Sequence, residues 1–252
     1  MAEHAEQSAQ TDHSTDGVNF TYGWYRSLLR RLSSTGYEFR SFADPLGDGD
    51  VVLRHDVDLS LDAAVAMARI EADMGVESTY CVLLSSPLYN PFEGEQRTNI
   101  REIASLGHDV GIHFSTHQYW AKDDPPTDAA LRDRVAAERS AFDAVIDADA
   151  APAVSFHIPP DWVLDRGFDG FRSAYEPALF SEIGYVADSG QRWREDPPRI
   201  AELPDALQVL THPGLWGDED ASFERRIERA AVDAGSRAWE LAHREFVDGV
   251  YS

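Results

Sequence analysis

Six residues able to act as acid, base or metal ligand fall where short apolar runs stop. Asp56 and Asp58 close the run Leu53-Arg54-His55-Asp56-Val57-Asp58, and His113 and His117 stand four apart in Gly111-Ile112-His113-Phe114-Ser115-Thr116-His117. His157 precedes Ile158-Pro159-Pro160, and His212 lies in Leu210-Thr211-His212-Pro213. One carboxylate with two imidazoles is an oxygen and nitrogen donor set suited to a divalent ion, zinc first, with cobalt or manganese as alternatives. A second carboxylate and a further histidine would add base and acid for hydrolysis by an activated water. The set therefore reads as a metal-dependent hydrolase.

Each motif also has a plainer reading. A His-x-x-x-His spacing puts two rings on one face only where the chain is helical, and it otherwise describes two hydrogen-bonded structural residues. Asp58 would serve equally as a cap for a helix starting near Leu61. Two acids two apart on extended backbone point the same way, so one can hold a metal while the other touches its water. His212 before Pro213 reads as a general acid or as a satisfied core histidine. Asp188, ahead of Ser189-Gly190, either orients a catalytic group or caps a turn. Trp120, Trp162, Trp193 and Trp216 all follow candidate strand ends, where aromatic walls could stack on sugar rings or simply pack loops. His55 and His108 read as structural.

These residues need a scaffold that brings strand ends together, and the chain alternates accordingly. A helical segment over residues 20–32 precedes Gly36, and residues 51–55 form a buried strand. Ser60 caps a helix over residues 61–74 that stops at Gly75. Strands follow at 78–84, 109–114, 153–157, 185–188 and 207–211. Asn99 with Glu102 forms a capping-box-like helix start, and longer helices cover 127–146 and 223–247. Alternating β and α units predict a parallel sheet with right-handed crossovers, either open or closed into a barrel. On both architectures functional side chains gather at the C-terminal ends of strands.

Composition narrows the function further. The 252 residues suit one large α/β domain, running from residue 18 to 252 behind a polar, disordered tail of residues 1–17. A formal net charge of −23 argues against nonspecific binding to nucleic acid or anionic membranes. Among 22 basic residues Lys122 is the only lysine. An acidic, lysine-poor surface stays hydrated where salt screens its self-repulsion, which points to a high-salt, halophilic cytoplasm. No apolar run approaches the roughly 20 residues that span a bilayer, and the N-terminus lacks the apolar core of a secretory signal. The single cysteine, Cys81, reads as a small buried hydrophobe. There is no Gly-x-Ser-x-Gly, P-loop or dinucleotide fingerprint. Oligomeric state is left open.

Over roughly residues 51–217 the pattern resembles the polysaccharide deacetylase superfamily, the NodB-type, family-4-like carbohydrate esterases. The Arg-His-Asp-x-Asp opening and late Leu-x-His-Pro look more like a divergent subgroup associated with surface-polysaccharide biosynthesis. The resemblance implies a single-domain, distorted (β/α) barrel of about seven parallel strands. It implies a base at Asp56, a metal held by Asp58, His113 and His117, and a general acid at His212. Asp188 to Trp193 falls loosely where an aspartate-tryptophan element belongs. The usual acids are adjacent, whereas Val57 intervenes here, so the roles of Asp56 and Asp58 are exchangeable on spacing. Phe114 replaces the usual Ser or Thr, and His157 stands where an arginine that orients the base is expected. The implied activity is removal of an N- or O-linked acetyl group from an acetylated carbohydrate. Two other readings remain: hydrolysis of a non-sugar amide or imide, and a non-catalytic carbohydrate- or partner-binding chain.

Overall fold

A computed structural model describes residues 17–147 and 149–249. The N-terminal segment expected to form a tail lies outside the described residues, apart from Gly17. Eight strands form one sheet: β1 (Glu38–Arg40), β2 (Asp50–Val57), β3 (Thr79–Val82), β4 (Asp109–Phe114), β5 (Ala153–Phe156), β6 (Arg172–Ser173), β7 (Gly184–Ala187) and β8 (Leu207–Thr211). Seven run in the order β6-β5-β4-β3-β2-β8-β7, with β1 added beside β2. Every pairing is parallel. The sheet curls into a distorted (β/α) barrel, the architecture the family resemblance implies and one of the two that the alternation allows. No backbone pairing joins β6 to β7 among the described residues. Tyr175, Phe180 and Tyr185 fill that seam, with ring centroids 4.9–6.5 Å apart.

Helices α1 (Tyr22–Thr35), α2 (Leu61–Asp73), α3 (Gly94–Ser105), α4 (Asp128–Ile146), α5 (Pro177–Phe180) and α6 (Phe223–His243) surround the sheet. Several follow the expected chemistry. Ser60 Oγ accepts from the Ala63 amide to start α2, so Asp58 is not needed as its cap. Gly36, at φ 105°, closes α1 in the left-handed conformation. Helix α3 begins six residues earlier than the Asn99 signal implies, with Glu93 rather than Asn99 as its cap. The Glu93 carboxylate accepts from the Glu95 and Gln96 amides, while Asn99 donates instead to Asp62. The short β1, β6 and α5 had no periodic signal. No helix among the described residues is long and apolar enough to cross a membrane.

Strand β2 shows how the layers separate. Its even-numbered residues Arg54 and Asp56 face the barrel interior, whereas His55 faces α2. His55 meets Thr211 Oγ1 at 2.7 Å and Glu71 Oε1 of α2 at 2.9 Å. Glu71 is wholly buried and also accepts from Tyr25, Ser78 and Tyr80. His108 lies against Ser78 and donates to the Ala68 carbonyl. Burial works to raise the Glu71 pKa, but His55 and the surrounding donors hold the carboxyl below its ordinary range. His55 and His108 are thus structural, and Cys81 is a buried core residue. Burial pushes its thiol well above the usual range.

Candidate active site

The C-terminal ends of β2, β4, β5, β7 and β8 converge on one cavity of about 640 Å³. At its floor three ligand atoms close into a triangle. Asp58 Oδ1 lies 3.2 Å from His113 Nε2 and 3.0 Å from His157 Nδ1, and the two ring nitrogens are 3.2 Å apart. Asp58 follows β2, His113 sits inside the end of β4, and His157 follows β5 directly. The parallel β4–β5 pairing places His113 opposite Ser155, and Ser155 Oγ is 3.1 Å from His113 Nδ1. That contact turns Nε2 toward Asp58. Burial works to raise the Asp58 pKa, but His113, His157 and His212 outweigh it and hold the carboxyl far below the usual range.

The donor set fits a divalent ion. Four ligands about 2.0–2.1 Å from a tetrahedral centre stand roughly 3.3 Å from one another, close to the three separations here. Asp58 Oδ1 is buried yet receives no aligned hydrogen bond, an unmet demand that a cation would satisfy. Among the described residues, Asp58, His113 and His157 form a three-residue grouping with metal-ligand spacing.

His117 stands apart from this trio. Residues 116–118 make a single 3₁₀ turn rather than an α-helix, so the four-residue spacing does not bring its ring beside that of His113. It is exposed, and its Nε2–H donates to the Ile158 carbonyl at 3.0 Å. Ile158 follows His157 at φ 45°, a strained conformation for a β-branched residue. His117 thereby pins the turn that presents His157.

Asp56 is 2% exposed and lies 3.7 Å from His113 Nδ1. Its cation partner is Arg54, one turn of the pleat earlier on the same strand, with Nε 3.3 Å from Asp56 Oδ1. The Arg54 guanidinium is fully buried and donates to Gln208 at 2.8 Å and to the Tyr175 hydroxyl at 2.9 Å. Gln208 in turn donates to the Ala174 carbonyl across the β6–β7 seam. An arginine thus steadies Asp56 from β2, although β5 carries His157 where one was expected. A charged residue inside the apolar run of residues 51–54 was the available signal for Arg54.

Across the cavity Asp188, fully buried at the end of β7, accepts from three donors. His212 Nδ1 is 2.6 Å from Oδ1, while the His212 amide and Trp216 Nε1 donate to Oδ2 at 3.0 and 2.8 Å. Burial works against a charged His212, but the Asp188 carboxylate more than offsets it and raises the imidazole to about 9. His212 Nε2 faces the cluster, 3.8 Å from Asp58 Oδ2. Gly214 allows this approach, because a Cβ there would come within 2.5 Å of Leu59 Cβ, on the loop after Asp58.

None of the four tryptophans lines the cavity. Trp193 and Trp216 are buried in an apolar cluster with Phe20, Leu28 and Leu29, and Trp24 packs against it. Trp120 and Trp162, partly buried, pack against the apolar cluster that contains Phe114, Phe156 and Val163. Their apolar rings follow the strand ends because they seal loops to the core.

No protein-family model and no curated protein matches this sequence. Among solved structures it is similar to a family 4 acetyl xylan esterase from Clostridium thermocellum, solved with a cobalt ion. The identity is 16%, covering 76% of this chain and 83% of the other, with a TM-score of 0.42. The chitin deacetylase of Colletotrichum lindemuthianum gives 16% identity, coverage of 79% and 87%, and a TM-score of 0.43. A CE4 family pseudoenzyme from Bacillus anthracis gives 14%, 76% and 60%, and 0.41. At such identities and overlays, no activity transfers from those proteins to this chain.

Proposed function

We propose that this chain is a metal-dependent hydrolase that removes an N- or O-linked acetyl group from a sugar or sugar-linked precursor. The observation that carries the reading is the Asp58–His113–His157 triangle, set between the Arg54-held Asp56 and the Asp188-held His212. Asp58, His113 and His157 would hold the ion, with His117 acting through the Ile158 turn instead. A bound divalent ion, zinc or otherwise cobalt or manganese, supplies polarisation of the acyl carbonyl and a lowered pKa for water.

This chain's own groups complete the proton inventory. Asp56, acceptor-only when ionised, takes a proton from the water that attacks the acyl carbon. As the bond from that carbon to the amine or alkoxide breaks, His212 gives its Nε2 proton to the leaving group. Asp188 keeps Nδ1 protonated and aims the ring, so Nε2 is the proton that moves. Arg54 holds Asp56 in one orientation, with Gln208 and Tyr175 fixing the guanidinium.

Metal content, measured by mass spectrometry on untagged protein purified without chelator, tests the ligand set. About one ion per chain is expected for wild type. Asp58→Asn and His157→Ala should lose it, while His117→Ala should retain most of it. Full occupancy in His157→Ala with loss in His117→Ala would overturn the assignment. Acetate release from N- and O-acetylated sugars tests the reaction, and no release by the metal-loaded protein would reject the activity.

A further inference from the structure

The cavity holds far less polarity than a sugar-binding cleft requires. Beyond the proposed reacting groups, the hydrogen-bonding side chains that reach it are Tyr175, Tyr185, Ser189 and Arg192. Both tyrosine hydroxyls are engaged by Arg54, and Arg192 lies exposed with its Nε on the Ser189 carbonyl. No Asn, Gln, Thr, Glu or Lys lines the space among the described residues. A sugar head would therefore find its partners at the reacting cluster, and the rest of the space offers little to its further hydroxyls.

The remaining wall is aliphatic and aromatic, formed by Leu88, Phe156, Ile158, Phe180, Phe223 and Ile227 among others. Toward the mouth it stays apolar where solvent reaches it, with Ile158 68% exposed, Phe223 42% and Ile227 40%. Phe223 and Ile227 are one turn apart on α6 and face the same way. A lining that is largely apolar and includes solvent-exposed Ile158, Phe223 and Ile227 beside the reacting cluster fits a ligand that carries an apolar group.

We infer that the substrate is an amphiphile: a polar acylated head at the Asp58–His113–His157 cluster, continued by an alkyl or aryl group along the Leu88–Ile158–Phe223–Ile227 wall. This inference builds on the proposed hydrolase reading for where the reacting bond sits. The apolar group is carried either by the leaving amine or alcohol or by the acyl group itself, and the same cavity serves both.

Calorimetry on the full, metal-loaded chain reads the cavity without turnover. Octyl and methyl β-glucosaminide, compared below the micelle concentration of the octyl glycoside, should differ by at least tenfold in Kd, the octyl compound being tighter. Equal affinities would overturn the inference. The double variant Phe223→Ser with Ile227→Ser should cut the ratio to under threefold with the far-UV circular dichroism unchanged; a folded double variant that keeps the full ratio would also overturn it. The wild-type comparison stands even where the variant does not fold. Turnover then locates the chain. A lower KM for octyl than for methyl N-acetylglucosaminide puts it on the leaving side, and hydrolysis of N-octanoylglucosamine faster than of N-acetylglucosamine puts it on the acyl side. Tight octyl binding with no hydrolysis of any of these would reject the hydrolase reading while sustaining the amphiphile.

Discussion

At the scale of single residues, the site is governed by how each charge is paired. His212 would be a poor acid near neutrality at its ordinary pKa of about 6.5. Asp188 raises it to about 9, so the imidazolium persists through neutral pH and is lost as pH rises through the folded value. Asp188→Asn removes that charge, and the alkaline limb of the kcat profile should move to lower pH. A limb that stays in place would mean another group sets it. The same shift links to stability: the contribution is complete below about pH 6.5 and fades toward pH 9. Arg54 makes the complementary case. Arg54→Met leaves Asp56 buried without its cation and should cost roughly 3–5 kcal/mol in denaturant unfolding. Adding Asp56→Asn should return part of that loss, and a double variant no better than the single one would reject the pairing.

At the scale of elements, the ends of strands could be read from the chain, whereas the contacts across them could not. Apolar runs stopping at Asp56, His113, His157, Asp188 and His212 placed all five side chains at one rim, since every strand pairing is parallel. What spacing could not reveal was the local geometry after β4. A 3₁₀ turn sends His117 to the Ile158 carbonyl, so the histidine nearest in space to His113 is His157, 44 positions away. The link from Arg54 to Gln208 spans 154 positions and exists only once β2 and β8 are neighbours. The tryptophans misled for a related reason: ring chemistry is the same in a sugar wall and a core, and only the packing separates them. Two loops illustrate how tightly these elements are set. Gly214, after His212, touches Leu59, after Asp58, where a Cβ would sit 2.5 Å away. Gly214→Ala must therefore push the loops apart, costing about 1–3 kcal/mol by overpacking and lowering kcat as His212 withdraws from the cluster. Unchanged stability and rate in that variant would show that the two loops move independently.

At the scale of the whole molecule, charge outweighs every other surface property. With 45 acidic against 22 basic residues, carboxylates outnumber the cations available to pair with them, and the compact state concentrates that repulsion. The basic residues that do pair at the surface are arginines, in contacts such as Arg194–Asp220 and Arg166–Asp128, and exposed pairs of this kind contribute at most about 1 kcal/mol each. Salt therefore acts in opposite directions: it weakens a few attractive pairs and screens many repulsive ones. Because repulsions outnumber attractions, screening should stabilise the fold. The Debye length shrinks from about 10 Å at 0.1 M to about 3 Å at 1 M, so most of the gain should appear within that interval, with a slower rise beyond it as the remaining screening saturates. Melting in KCl from 0.1 to 3 M, with metal saturation held constant, should show Tm rising steeply and then gently. The rise should shrink when exposed aspartates outside the cavity lining, such as Asp123 and Asp124, are changed to asparagine. A Tm that is flat or falls between 0.1 and 1 M would mean that the attractive arginine pairs, not the net repulsion, control the stability of this chain.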